Sequence, residues 1–317
     1  MKLIVSQLEA WTTYVSREFH YIISELMTTY GWRHIEIDKL WNGTGAVQDQ
    51  LVAEFGELPD TIIFCEAYEF LHAKAKDIYL LPGRKFLFAD DLHSWDDDAR
   101  QRKAVSFALC DGVLSTYGYA WPRFYPEFCG TKRVVWIPHS ASPDFMLPFN
   151  PASENTILLS GAISHHYPLR QKMKTLHDDG AYAIAIHDHP GYFTGFDYDN
   201  NQSIGRGYAR TINRYRAAFT DSLTFQYVVA KYFEIPATGA LLLADDAVSG
   251  PLRELGFIEN QHYVPVSDDN LEERIQYVLD ERNHEELNQI RRNGQELVWA
   301  RHKTADRAKQ INEECNG

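Results

Sequence analysis

A chain of 317 residues is longer than one compact core usually serves and fits two domains of ordinary size. Its formal charge of −13, from 31 Lys and Arg against 44 Asp and Glu, excludes a broad basic footprint for nucleic acid or an anionic membrane, so an anionic ligand needs a local basic patch. No apolar run reaches membrane-spanning length and the opening MKLIVSQLEAW is too short for a signal-peptide core; with four scattered cysteines (Cys65, Cys110, Cys129, Cys315) that fit free thiols, a cytoplasmic location is expected.

The first half alternates. Lys2 to Ser6 reads as an opening strand, and residues 14–29 show helical periodicity through Val15, Phe19, Ile22, Ile23 and Leu26. Short apolar runs at 34–38, 61–65, 85–90, 112–116 and 133–138 read as strands with helical segments between most of them, the pattern of a doubly wound α/β sheet. The fourth of these ends in FADDLHSW, which places Asp90, Asp91, His93 and Trp95 at the carboxyl end of a strand. Such residues either cap the helix that follows or line a ligand crevice, with Trp95 able to stack on a sugar or base. The run Asp96, Asp97, Asp98 is explained by the dipole of that helix, since adjacent side chains do not converge easily on one ion; no metal requirement is expected.

Residues 138–155 hold four prolines among small and polar residues and read as a linker. The boundary is placed near 150, giving domains 1–150 and 151–317. A second alternation follows: a strand at 155–161, a helix from about Pro168, strands at 182–187 and 217–221, a helix bearing Glu234, and strands at 240–244 and 262–266. Gly161 lets backbone approach a ligand, and Pro168 suits a helix first turn whose amides favour anions. Residues 201–220 carry Arg206, Arg210, Arg214 and Arg216 and no acid. They form either a solvated face or a phosphate-binding patch. The segment 188–202, rich in Gly, Asp and Asn, reads as a loop. Towards the end, Asp269 with Glu272 has capping-box spacing, and Asn283 and Thr304 are further candidate caps. No P-loop or dinucleotide fingerprint is present.

The most informative stretch is YVVAKYFEIPATGALLLAD, residues 227–245, a helix with one carboxylate running into an apolar strand. Glu234 there is either a solvated helix-face acid or an acceptor for ligand hydroxyls. Together with Tyr-Pro-Leu-Arg (167–170), Tyr-Ala-Arg-Thr-Ile-Asn (208–213) and Phe-Glu-Ile-Pro-Ala-Thr-Gly (233–239), it resembles the C-terminal domain of family-4-like retaining glycosyltransferases, with the spore-maturation-type enzymes as the nearest branch. The resemblance covers roughly residues 155–312. It implies a GT-B architecture: two Rossmann-like domains facing each other across a cleft, acceptor domain first and nucleotide-sugar donor domain second. By the same resemblance Glu234 accepts hydrogen bonds from the donor ribose, and Gly161, Arg170, Arg210 and Lys231 serve the diphosphate. Gln226 stands where the family commonly has a second glutamate, so it can bond a sugar hydroxyl without carrying charge. His93, with Asp91, is the expected catalytic pair. The implied reaction moves a sugar from a nucleotide-diphosphate sugar, as co-substrate, to a hydroxyl acceptor on a glycan, protein, small molecule or, less in keeping with the acidic balance, a modified DNA base. Retention and metal independence are implied by resemblance alone. A nucleotide-sugar epimerase of the same build and a non-catalytic nucleotide-sugar-binding module are the alternatives.

Overall fold

In a computed structural model that describes residues 1–317, the alternation becomes two parallel sheets. The first contains β1 (Lys2–Ser6), β2 (Arg33–Glu36), β3 (Thr61–Cys65), β4 (Arg84–Ala89), β5 (Gly112–Ser115) and β6 (Arg133–Trp136), in the order β2-β1-β3-β4-β5-β6. Every neighbouring pair is parallel. Ile62, Ile63 and Phe64 in β3, like Phe86, Leu87 and Phe88 in β4, are buried irrespective of which face they occupy. That is the reason these strands read as unbroken apolar runs.

The second sheet contains β7 (Glu154–Ser160), β8 (Ile184–His187), β9 (Tyr215–Thr220), β10 (Leu241–Asp245) and β11 (Val264–Val266), in the order β11-β10-β9-β7-β8, again parallel throughout. Leu241, Leu242 and Leu243 are all but sealed from water, and each contributes about 1.5–3 kcal/mol by burial. Both sheets are as expected from the sequence, with strand ends displaced by a residue or two.

The chain divides into two compact units, one made of Met1–Thr12, Phe19–Pro138 and Arg307–Gly317, the other of Thr13–Glu18 and His139–Asp306. The proline-rich segment after Pro138 is held as structure within the second unit. Ala141 N–H donates to the His302 carbonyl at 2.8 Å, and Gln295 Nε2 donates to the Leu147 carbonyl at 2.9 Å. The last helix (Thr304–Asn316) does not simply end the second unit. Its Ala308, Ile311 and Cys315 pack into the first unit's core with Ile4, Ile63, Phe86 and Leu114. Polar contacts fasten it there: Arg84 Nη2 donates to the Cys315 carbonyl at 2.6 Å, and Trp32 Nε1 to Asn312 Oδ1 at 3.1 Å.

Three local expectations are corrected. Of the periodic segment 14–29, only the part from Glu18 is helical, in the helix Glu18–Tyr30; residues 14–17 lie outside it, and a separate short helix, Leu8–Thr12, precedes them. Arg216 lies in β9, where its guanidinium is buried and pairs with Glu281 at 3.1 Å, so it is no part of the exposed arginine face. The three C-terminal cap candidates make no cap bond. Asn270 precedes the helix Leu271–Leu279 and turns back to accept the Ser267 N–H, Asn283 makes no side-chain cap bond, and Asp306 rather than Thr304 accepts the Lys303 N–H. Asp96 does cap the helix Asp97–Leu109, accepting the Ala99 N–H at 2.6 Å. All four cysteines are free thiols, and no helix is long and apolar enough to cross a membrane.

Candidate active site

In an open parallel sheet, ligands gather beyond the carboxyl ends of the strands where the winding direction reverses. In the second sheet that point lies between β7 and β9, because β8 lies on one side of β7 and β9, β10 and β11 follow on the other. Gly161 comes immediately after β7 and has φ +96°, a conformation closed to residues with a side chain. A Cβ there would lie 2.7 Å from Arg170 Nη1 and 2.9 Å from Lys231 Cε. Three of the residues named from sequence, Gly161, Arg170 and Lys231, are therefore brought together.

Their chemical states differ. Arg170 is buried, and its donors are committed inside the protein: Nη1 to the Ala162 carbonyl and Nη2 to Thr220 Oγ1, each at 3.0 Å, with Nε facing Asp221 Oδ1 at 3.1 Å in an ion pair that is not an aligned hydrogen bond. The other Asp221 oxygen accepts the Arg170 backbone N–H at 3.1 Å, so this carboxylate occupies the amino-terminal turn of the helix Pro168–Asp178. The anion expected at that helix end is supplied by the chain itself. Burial pushes the Asp221 carboxyl up to about 6 despite the opposing pull of Arg170. The turn after β9 is anchored in a similar way by Asp245, which accepts from the Ser222 hydroxyl at 2.5 Å and the Ser222 N–H at 3.1 Å.

Lys231 is the cation left over. It begins the helix Lys231–Ala237, is half-buried, forms no ion pair, and holds its ammonium 4.9 Å from the centre of the Tyr208 ring. Burial disfavours its charge, but Tyr208 and Glu234 outweigh that and raise its pKa above the ordinary lysine value. Glu234, three residues on and so on the same helical face, is only 7% exposed; the solvated reading of this residue is wrong. Its carboxylate accepts no hydrogen bond from the protein. Burial raises its pKa, with Lys231 opposing, Glu18 reinforcing and His139 opposing again. Glu18 itself is fully engaged, accepting from His139 Nδ1 at 2.7 Å and from the Ser140 N–H and hydroxyl at 2.6 and 2.8 Å.

Gln226 is exposed on the turn between β9 and the Glu234 helix, with φ +56°. Arg210 is not brought into the group. It is exposed in the helix Gly205–Arg214, two residues beyond buried Tyr208 and hence on the opposite face, in line with exposed Arg206 and Arg214.

Sequence reasoning missed an aromatic surround. The Tyr208 hydroxyl meets Ser160 Oγ at 2.6 Å, and its ring stacks on His187, at the end of β8, at 5.1 Å. His189 and Tyr192, in the loop that follows, have ring centres 4.3 Å apart. Burial, then Lys231 and Arg170, holds His189 down at about 4. Burial, with Tyr192 close by, pushes the Tyr167 phenol above its usual range. The signal available in the sequence was the pair His187 and His189 at the carboxyl end of a strand.

In the first unit the reversal falls between β1 and β3. The largely buried His93 ring faces the exposed Asp91 at 3.7 Å and meets Trp95 edge-on at 4.6 Å. Lys103 pins this turn by donating to the carbonyls of Asp91 and His93. Glu66 was missed, although it directly follows β3. It has φ +52°, and its Oε1 accepts from the Asp90 N–H at 2.6 Å and the Tyr68 hydroxyl at 3.0 Å. Burial first, then neighbouring Asp90, pushes the Glu66 carboxyl up to about 8. Asp90 in turn accepts from the Thr116 hydroxyl at 2.7 Å, so residues after β3, β4 and β5 form one polar row. No group of three or more His, Cys, Asp or Glu side chains is placed to hold a metal ion.

Parallel sheets of this order, with a glycine, a cation and a buried carboxylate beyond β7 and β9, make up a two-sheet fold of GT-B type. Residues 170–313 match a family model described as "Glycosyl transferase-like". The whole-chain fold matches solved structures of sucrose-phosphate synthase from Thermosynechococcus elongatus (TM-score 0.64, 14% identity, covering 99% of this chain and 97% of that one) and of HepE from Anabaena in complex with UDP-glucose (TM-score 0.64, 10% identity, 100% and 99%). It also matches an α-glucosyltransferase in complex with UDP-glucose and DNA containing an abasic site (TM-score 0.64, 10% identity, 100% and 99%). No curated protein matches the chain.

Proposed function

We propose that the protein transfers a sugar from a nucleotide-diphosphate sugar to a hydroxyl acceptor, with retention of configuration and without a metal ion. One observation carries this reading: at the second sheet's reversal point, a lysine without an ion pair and a buried carboxylate without an internal hydrogen bond stand on one helical face beside a glycine that only a bare backbone can occupy. Unsatisfied opposite charges held in place within the fold are a cost unless a ligand uses them.

In this reading Gly161 lets the diphosphate approach the backbone, and Lys231 neutralises the charge that grows on the leaving diphosphate as the glycosidic bond breaks. Arg170 adds its field and braces the turn. Glu234 accepts the ribose hydroxyls, the amide of Gln226 bonds a sugar hydroxyl, and His93 and Asp91 of the first unit serve the acceptor. Uridine is the base to try first, since HepE and the α-glucosyltransferase are solved with UDP-glucose.

Radiolabelled nucleotide sugars, incubated with and without a panel of hydroxyl acceptors, test the proposal; transfer is expected only with acceptor, and release or isomerisation without one would contradict it. Lys231→Met is expected to lower kcat by about 100-fold or more. A folded variant with unaltered kcat would refute the assigned role.

A further inference from the structure

The loop after β8 carries a large exposed aromatic surface next to the cation site. Tyr192 is 63% exposed, yet its ring is not loose: it rests against His189, 4.3 Å between centres. His189 is fixed in turn, because its Nδ1 accepts the Gly191 N–H at 3.0 Å, which places any ring proton of the neutral form on Nε2. Gly191 makes this turn with φ +100°. Tyr192 lies within electrostatic reach of Lys231 and close to Tyr167, the residue that opens the Arg170 helix. A neutral imidazole thus backs a half-free phenol ring near the Lys231 ammonium.

From this geometry we infer that Tyr192, backed by His189, is the stacking platform for the planar base of the donor nucleotide. The inference rests on the proposed nucleotide-sugar reading and adds the residue that recognises the base. A flat, uncharged ring with one open face suits a heteroaromatic base, which every nucleotide presents; the charge on the other part of the ligand is met by Lys231. Burial and the two nearby cations keep His189 unprotonated in the neutral range, so the platform does not repel a base that approaches beside Lys231.

Calorimetric titration of the full chain with UDP, GDP, CDP, ADP and inorganic diphosphate separates the possibilities. Tyr192→Ala is expected to weaken the best-binding nucleoside diphosphate about tenfold or more, the usual size of one lost stacking contact, and to leave inorganic diphosphate unchanged. Retained diphosphate binding also shows that the variant's site is intact. Tyr192→Phe, which keeps the ring, is expected to bind like the parent. Equal weakening of diphosphate and nucleoside diphosphate, no weakening of either, or a Phe variant as poor as the Ala variant would overturn the inference. So would a Tyr192→Ala defect seen with UDP-glucose but absent with UDP, which would assign the ring to the sugar. If the parent chain binds no nucleoside diphosphate at all, the nucleotide reading itself fails with it.

Discussion

Replacing Glu234 by glutamine separates ligand binding from folding. The carboxylate is 7% exposed and accepts nothing from the protein, so its ionised form loses water with no hydrogen bond in its place. Its pKa is raised, burial being the first cause, and the attraction of Lys231 does not cancel that. A folded-state pKa above the unfolded value means the group favours the fold most at low pH and loses that contribution as pH rises through the folded value. At neutral pH the buried charge is a net cost that an amide of the same shape does not carry. Glu234→Gln is therefore expected to melt at or above the parent temperature at pH 7, with the difference vanishing near pH 4, where both forms are neutral. Donor binding moves the other way. A hydrogen bond to a charged acceptor contributes about 1.5–3 kcal/mol, so the variant should bind the donor about 10- to 100-fold more weakly. Scanning calorimetry and titration with donor read the two effects independently. Donor affinity within twofold of the parent in a folded variant would refute the role of Glu234, and a lowered melting temperature would show that the carboxylate serves the fold instead.

Further substitutions test the second unit's turn and, separately, the first unit's Glu66. Gly161→Ala forces a side chain into φ +96° and against Arg170 and Lys231; a loss of about 1–3 kcal/mol in urea unfolding is expected, accompanied by loss of donor binding. Arg170→Met leaves Asp221 buried without its partner and should cost about 3–5 kcal/mol, partly recovered by adding Asp221→Asn, as a double-mutant cycle would show. Glu66, with its carboxyl pushed up to about 8, holds its proton more tightly folded than unfolded, so its contribution to stability should decline as pH rises from the ordinary carboxyl range towards 8. Urea midpoints between pH 5 and 9 should fall less steeply for Glu66→Gln than for the parent, and parallel slopes would contradict this.

The central strands were legible because they are covered on both faces and so read as apolar runs, as in Thr61–Cys65 and Leu241–Asp245. The start of the second helix was not, since the apolar spacing runs back through residues 14–17, which lie outside it. For the site, the chain revealed residue types but not their commitments. Arg170 looked like a free clamp, yet its partner Asp221 lies 51 positions away, beyond any local pattern. On local pattern alone Glu234 could be a solvated helix-face acid, and the packing of its helix against neighbouring helices and strands is what buries it. Tyr192 sat unremarked in a segment whose Gly, Asp and Asn content drew attention to the backbone instead of the rings. Glu66 was overlooked because a lone acid after a strand has no motif, although the row it forms with Asp90 and Thr116 depends on three strands ending side by side.

The helix that seals the first core is synthesised only after the whole second unit. When β6 has left the ribosome, the surface formed by Ile4, Ile63 and Leu114 still awaits Ala308, Ile311 and Cys315, which emerge only after the whole second unit. Until then the nascent first unit carries an open greasy seam, and the completed second unit is available before the first can close. Maturation is thus reversed relative to chain order: the half made first is finished last, and any agent that binds such a seam has the entire translation of residues 139–306 in which to act.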